Sequence, residues 1–450
     1  EDCIVGWAER YYNELPKANK GDFLGDETGK IKVIGEIREP KHFKGLILPY
    51  ENKTNEKFKY LMDKLNDRLR KKDLGAFYTP IPYCEKAAEL VRMAIERVPK
   101  GNDYVIIDRC AGTGNLESVL TDEELSHCIL STYEYYEYKV LCERLSDKVR
   151  FIVPPTENLV KYSNGCVINA DAMSEEYINN PDIKAYIDNP NCTIILYENP
   201  PYRDAGAVDT NNTKGFKNYV NKKMCEETLA NKTVAYDLAN MFIWSGYKYY
   251  LRQPTDSYIL FSPIKYWKMH GLSSKRMLKG FAFNRKHFHA TPSTITCILW
   301  GNEDDMSNTI SVEPLDIIGD KVSVVENKPY IQLEKVKIMS NKYLPATSTF
   351  SGEKGIICGM DGVEVFKKCR GKALYNPDYF AYLRLNGFNL DALNRTLTTV
   401  MNYAAMGRYL TKENYQELLP LFVAKLFPED VWYERDIYAT TADGGDKYTK

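Results

Sequence analysis

The chain has no Cys-x-x-Cys pair and no histidine spacing that would complete a site with its eleven scattered cysteines. That argues against a disulfide framework or a zinc site and for reduced, mostly buried thiols. No apolar run approaches the ~18–20 residues a membrane span needs, and no signal peptide is visible. A cytoplasmic protein with no membrane partner and no metal is therefore expected. Net charge is almost absent, with 60 basic and 61 acidic residues, so a nucleic-acid partner has to be argued from local patches. Internal repeats and low-complexity segments are missing too. What the chain does have is length: 450 residues predict two or three domains and ample material for a core. The first residue is Glu1 rather than methionine and the last, Lys450, follows a Gly-Gly tail, as in a fragment or a processed product.

Residues 1–71 read as an N-terminal extension, loop-rich from Gly21 to Pro49, with Phe58, Leu61, Met62, Leu65 and Leu69 at helical spacing after it. From Lys72 strands and helices alternate. Strands are predicted at Tyr104–Ile107, Ile129–Tyr133, Val149–Val153, Val167–Asn169, Thr193–Tyr197, Ser257–Ser262 and Ser293–Trp300, with helices near Tyr83–Arg97, Tyr135–Ser146 and Tyr236–Leu251. This rhythm predicts an α/β fold, a doubly wound Rossmann-like sheet that binds ligands at the carboxyl ends of its strands. The rhythm breaks at about Asn302, where a domain boundary is expected. Residues 303–450 then form a separate C-terminal domain with helical blocks at Leu390–Met401 and Thr411–Phe427.

The most informative segment is Asn199-Pro200-Pro201-Tyr202, at the end of the apolar run Thr193–Tyr197. A residue before proline is pushed into an extended conformation, so both Asn199 and Pro200 are pre-set. Neither proline has an N–H, so the ledge presents acceptors without competing donors. It suits an exocyclic amine, with the Asn199 side-chain oxygen and the Pro200 carbonyl accepting two hydrogens while Tyr202 stacks on the ring. Asn-Pro is equally a common loop opener. The strand Tyr104–Ile107 runs into Asp108-Arg-Cys-Ala-Gly112-Thr-Gly114-Asn-Leu-Glu117, where two glycines permit a tight turn and close approach to a ligand. Glu117 stands where a dinucleotide fingerprint needs its third glycine, and Asp108 puts a carboxylate where a pyrophosphate would sit; both disfavour NAD or FAD. Glu134, at the tip of the next strand, is placed to grip a ribose diol, or is simply a solvated helix-start acid. Asp171, with Ala172, is similarly ambiguous. Thr79-Pro80, after Phe77-Tyr78, is an ordinary helix start when taken alone.

Taken together and in this order, these residues resemble the gamma-class amino-methyltransferases, which use S-adenosylmethionine to methylate the exocyclic nitrogen of adenine in DNA. The resemblance covers roughly Leu74–Trp300, and Asn-Pro-Pro-Tyr is its specific element. It implies a class I methyltransferase sheet over 72–302 and S-adenosyl-L-methionine as cofactor. Tyr78, Thr79 and Pro80 would close over the methionine moiety, and Asp108, Gly112 and Gly114 would line the loop. Glu134 would bind the ribose, Asp171 and Ala172 the cofactor adenine, and Asn199 would border the cofactor as well as act. Asn199, Pro200, Pro201 and Tyr202 would be catalytic. Arg109-Cys110 departs from the small or apolar residues and proline more usual there, and puts the loop shape in question.

A base inside a duplex is out of reach, so it would have to be flipped out and stacked. Tyr202 would supply one face and Phe288 the other, unless Phe288 is a core residue. Residues 261–290 hold Lys265, Lys268, Lys275, Arg276, Lys279, Arg285 and Lys286 without one acid. They read as a phosphate-binding strip on double-stranded DNA, or as a solvated face. The polar segment Arg203–Val234 reads as a lid or strand-contacting loop. By position, 303–450 would be a DNA target-recognition domain and a restriction subunit a partner, in a prokaryotic or phage restriction-modification, defence or epigenetic setting. Two alternatives remain: a methyltransferase acting on protein glutamine or RNA adenine, and a catalytically silent DNA-binding subunit of a larger restriction enzyme.

Overall fold

The computed structural model describes residues 79–155, 162–163, 166–202, 218–227, 232–268, 270–288, 294–318, 321–326 and 329–335, with short stretches between 357 and 432. Tyr78, the N-terminal extension and residues 203–217 of the presumed lid lie outside them.

A ten-stranded mixed sheet carries the fold. After helix α1 (Ile81–Ile95) come β1 (Asp103–Asp108), β2 (Cys128–Ser131), α2 (Tyr135–Leu145) and β3 (Phe151–Val153). A two-residue hairpin, β4 (Tyr162–Ser163) and β5 (Cys166–Val167), leads to α3 (Pro181–Ile187) and β6 (Cys192–Glu198). Helices α4 (Tyr219–Glu227) and α5 (Leu238–Ser245) precede β7 (Ser257–Ser262), β8 (Lys275–Asn284) and β9 (Thr294–Asp304). The sheet is completed by β10 (Thr309–Ile318), β11 (Lys321–Val324) and β12 (Ile331–Glu334).

The strand order is β11-β10-β8-β9-β7-β6-β1-β2-β3, with β12 paired to β10. The five strands β3, β2, β1, β6 and β7 run parallel. β9 inserts antiparallel between β7 and β8. This is the doubly wound, Rossmann-like α/β sheet that the alternation predicts. Its order reverses between β1 and β6, so the crevice that binds ligands in such sheets opens at their carboxyl ends.

Buried parallel strands read as unbroken apolar runs because helices cover both faces. All seven residues of β6 are buried accordingly. Alternate residues feed two cores. Val105, Ile107, Leu196, Tyr258 and Leu260 face one, with α5; Ile106, Ile195, Tyr197, Ile259 and Phe261 face the other, with Tyr83, Ala87 and Val91 of α1.

Several expectations shift. Val167–Asn169 does not join the main sheet; Cys166–Val167 pairs with β4 and makes one isolated bridge to Glu134, and Asn169 turns out of the extended region at φ 69°. The single helix expected over Tyr236–Leu251 is three pieces: a 3-10 turn (Lys232–Tyr236), α5, and a π turn (Gly246–Tyr250). Asp237 caps α5 by accepting from the Ala239 N–H at 3.1 Å. Gly246 lies so close to β6 and β7 that a Cβ would come within 2.9 Å of Tyr258 and 3.0 Å of Leu196.

The sheet also runs past the expected boundary at 302, since β9 ends at Asp304 and β10 pairs in parallel with β8. Within the helix expected at Leu390–Met401, Leu397–Thr398 is a strand paired with Ala381–Arg384. The β-branched run Thr396, Thr398, Thr399 and Val400 favours that extended form.

Candidate active site

A cavity of about 410 Å³ opens at the carboxyl ends of β1, β2 and β6. It gathers Thr79, Asp108, Gly112, Glu134, Asp171, Ala172, Asn199 and Pro201 of the predicted site. These come from segments spread over more than 120 residues, and the sheet order brings them together. Thr132, Tyr133, Glu137, Met173, Asn218, Leu238 and Phe242 also line it without having been singled out in the sequence, and Asn115 and Arg109 of the glycine loop line it too.

The glycine loop is built as its spacing requires. Gly112 and Gly114 take positive φ, 57° and 80°, where L side chains are strained. A Cβ on Gly114 would also come within 2.8 Å of Leu145 on α2. Arg144 of α2 donates to the carbonyls of Thr113 and Gly114 and so holds the loop on that helix.

Asp108 is 1% exposed, and its Oδ1 accepts the Cys110 N–H at 2.8 Å. Burial, with the carboxylates of Glu117 and Glu198 near it, pushes the Asp108 carboxyl well above the usual range. Asp171 is also raised by burial, while the Met173 N–H, 2.9 Å from Oδ1, pulls the other way. Glu134 stands at the N-cap of α2. Beside it Thr132 donates to Glu137 at 2.8 Å, adding a second acid to that wall.

At the end of β6 the Asn199 amide is held from both sides. Nδ2 donates to Thr79 Oγ1 at 2.9 Å, and Oδ1 accepts from the Tyr202 hydroxyl at 2.5 Å. That hydroxyl also lies 2.9 Å from the Phe261 carbonyl. Tyr202 thus packs against the α1-side core, and it is not part of the cavity wall. Thr79 is 3% exposed and forms part of the cavity, whereas Pro80 is the residue before α1 and lies outside the cavity wall. Gly114 and Pro200 likewise are not among the residues that line the cavity.

Other expected contacts are corrected. Phe288 is 2% exposed and meets Phe283 edge-on at 5.5 Å, so it is a core ring rather than a stacking face for a base. The basic strip is not a free cationic face either. Lys268 is only 3% exposed, and Lys265 is ion-paired with Asp237. Lys275 meets Asp304 at 2.8 Å, Arg276 meets Glu303 at 3.6 Å, and Lys286 meets Asp316 at 3.6 Å. The segment contains no acid, but β9 and β10 supply three beside it.

The unusual Arg109 has a defined place. Its guanidinium is buried in a bidentate pair with Glu198, the residue before Asn199. A signal was present: Glu198 is an isolated acid closing an otherwise apolar strand, and Arg109 an isolated base in the neighbouring loop.

No protein-family model matches the chain, and no curated protein does. Solved structures resemble it at a distance. One is the type IIG restriction endonuclease BpuSI, 15% identical with a TM-score of 0.36 over 56% of this chain and 28% of that one. A second is a type I restriction-modification methyltransferase subunit from Streptococcus thermophilus, 14% identical with a TM-score of 0.39 over 64% and 61%. A third is the type IIL restriction-modification enzyme MmeI in complex with DNA, 10% identical with a TM-score of 0.34 over 82% and 53%. This chain therefore spans less than two thirds of each. At such identities the likeness is one of fold alone. No helix among the described residues is long and apolar enough to cross a membrane.

Proposed function

We propose that the chain is a site-specific DNA methyltransferase that transfers the methyl group of S-adenosyl-L-methionine to N6 of an adenine flipped out of duplex DNA. The observation that carries the proposal is the Asn199 amide. Thr79 accepts from its NH2 end and the Tyr202 hydroxyl donates to its oxygen, so the two ends are distinguished, and the residue lines the same cavity as Asp108 and Glu134.

The cavity's donor set fits the cofactor. Asp108 can face an ammonium group, Glu134 a pair of hydroxyls, and Asp171 a ring amine. The Asn115 side-chain oxygen in the same wall is buried with no hydrogen-bond partner among the described residues, which leaves an acceptor for a bound donor. When bound, the cofactor supplies an electrophilic sulfonium methyl.

The protein's part is orientation and electrostatics. An adenine amine is a poor nucleophile because its lone pair is shared with the ring. Acceptance of its two hydrogens by Asn199 Oδ1 and the Pro200 carbonyl localises that pair toward the methyl carbon, where fixed dipoles stabilise the transition state. The methylated amine is acidic and sheds a proton without a strong base. Asn199 Oδ1 has a second lone pair for the amine, and if Tyr202 leaves the first its ring is free to stack on the base. In the cell the expected setting is the bacterial or phage cytoplasm, with duplex DNA and a restriction subunit as partners.

The test is methyl transfer from labelled cofactor to duplex DNA, ribosomal RNA and protein in parallel. Label in DNA recovered as N6-methyladenine is expected. Asn199→Ala should abolish it by orders of magnitude with cofactor affinity nearly unchanged. Label confined to RNA or protein would refute the DNA assignment, and cofactor binding with no transfer would indicate a silent subunit.

A further inference from the structure

Arg109 and Glu198 are 1% and 0% exposed. A buried ion pair is costly unless its donors and acceptors find partners. Here each guanidinium nitrogen has at least one. Arg109 Nη2 donates to Glu198 Oε2 and to the Phe242 carbonyl, both at 2.8 Å, while Nη1 donates to Ser245 Oγ at 2.8 Å. Glu198 accepts in addition from the Tyr258 hydroxyl at 2.6 Å and from the Arg109 backbone N–H at 3.3 Å. The rings of Phe242 and Tyr250 lie 5.2 and 4.7 Å from the guanidinium carbon. Burial opposes the charge on Arg109, but Glu198 outweighs it and keeps the guanidinium protonated.

The position of the pair gives it meaning. The ladder between β1 and β6 ends at Ile107 and Leu196. Two residues further on, Arg109 stands level with Glu198, where the strands have parted around the cavity. One member of the pair follows Asp108 and the other precedes Asn199. Gly246 leaves the space they need, because a Cβ there would come within 3.2 Å of Arg109 Nη2. An apolar pair could fill the same volume and stabilise the fold as well. A planar two-pronged fork does something an apolar pair cannot: it fixes a single register between the groups it joins.

Resting on the reading of the cavity as a cofactor site, we propose that Arg109 and Glu198 are a positioning pair. They couple the glycine loop to the amine-binding Asn-Pro-Pro-Tyr segment, so that filling the first orders the second. Neither touches the reacting atoms.

The test uses the full chain with S-adenosylhomocysteine, followed by hydrogen–deuterium exchange in peptides 108–117 and 193–202. In the unsubstituted chain both peptides should gain protection. In the apolar double variant R109M/E198L, the inhibitor should still bind and protect 108–117, while protection of 193–202 is lost. Turnover should then fall by about tenfold, the scale of a typical coupling between sites, with a smaller change in the cofactor KM. If R109M/E198L fails to fold, R109K decides, since its ammonium keeps the charge and loses the fork. Protection of 193–202 equal to that of the unsubstituted chain, in whichever variant folds, would overturn the pair's role and leave the cofactor site standing. Absence of protection at both peptides in the unsubstituted chain would overturn the cofactor site and the coupling with it.

Discussion

Thr79 Oγ1 accepts a hydrogen bond from Asn199 Nδ2 at 2.9 Å, joining residues 120 positions apart. The bond decides which end of the amide faces the cavity. Thr79→Val keeps the shape and removes the acceptor, so the amide can rotate. Turnover should fall about three- to tenfold, as expected for one net hydrogen bond, with cofactor affinity unchanged. Thr79→Ser should restore it. Equal rates in the valine and serine variants, measured at saturating cofactor, would remove Thr79 from this role.

Tyr202 competes for the acceptor that the amine needs, and burial pushes its phenol well above the ordinary range, so it remains a donor. Tyr202→Phe should release Asn199 Oδ1 and keep the stacking ring. Turnover at or above the original level is expected, with stability lower by about 1 kcal/mol for the lost bond. Tyr202→Ala should be slow in steady-state assays. A phenylalanine variant as slow as the alanine variant would mean that the hydroxyl itself takes part.

Asp108 gives a dependence on pH. Its folded-state pKa lies above its ordinary value of 3.8, so the folded chain holds a proton that the unfolded chain releases. Stability from this group is therefore fullest below 3.8 and declines as pH rises toward the folded value. Asp108→Asn should remove that slope. Thermal melts of the cofactor-free chain should show a larger gain at pH 8 than at pH 5, together with weaker cofactor binding. An equal gain at both pH values would contradict the buried, protonated state.

Lys268 and Lys279 separate the two sides of the basic strip. Lys268 is buried, whereas Lys279 is exposed on β8. Lys268→Met should leave the salt dependence of DNA binding unaltered. Lys279→Ala should reduce the slope by about one if it meets a phosphate. A flatter slope in the Lys268 variant would show that its amine reaches the DNA.

The legible parts of the sequence were those written in local chemistry. The runs of β1 and β6, the paired glycines and the two prolines each constrain their own backbone, so strands and loops fall close to where they are expected. Relationships set by register were hidden. The isolated Arg109 and Glu198 each signal a need for a partner, but nothing in the spacing says that they meet each other or that Asp316 stands beside Lys286. Phe288 carried no sign to distinguish a core ring from an exposed one. The helical run to Leu251 breaks because its face must pass Tyr258 and Leu196 at Gly246, which is a tertiary demand.

The passage of the sheet beyond 302 has a practical corollary for anyone exchanging C-terminal segments between such proteins. A joint at 302 would cut through β9 and strip β10 from β8, leaving a long unpaired edge prone to self-association. A splice placed after Lys335 keeps β10, β11 and β12 with their partners. Chimeras built at that later point should be recovered as folded material far more often than those built at the earlier one.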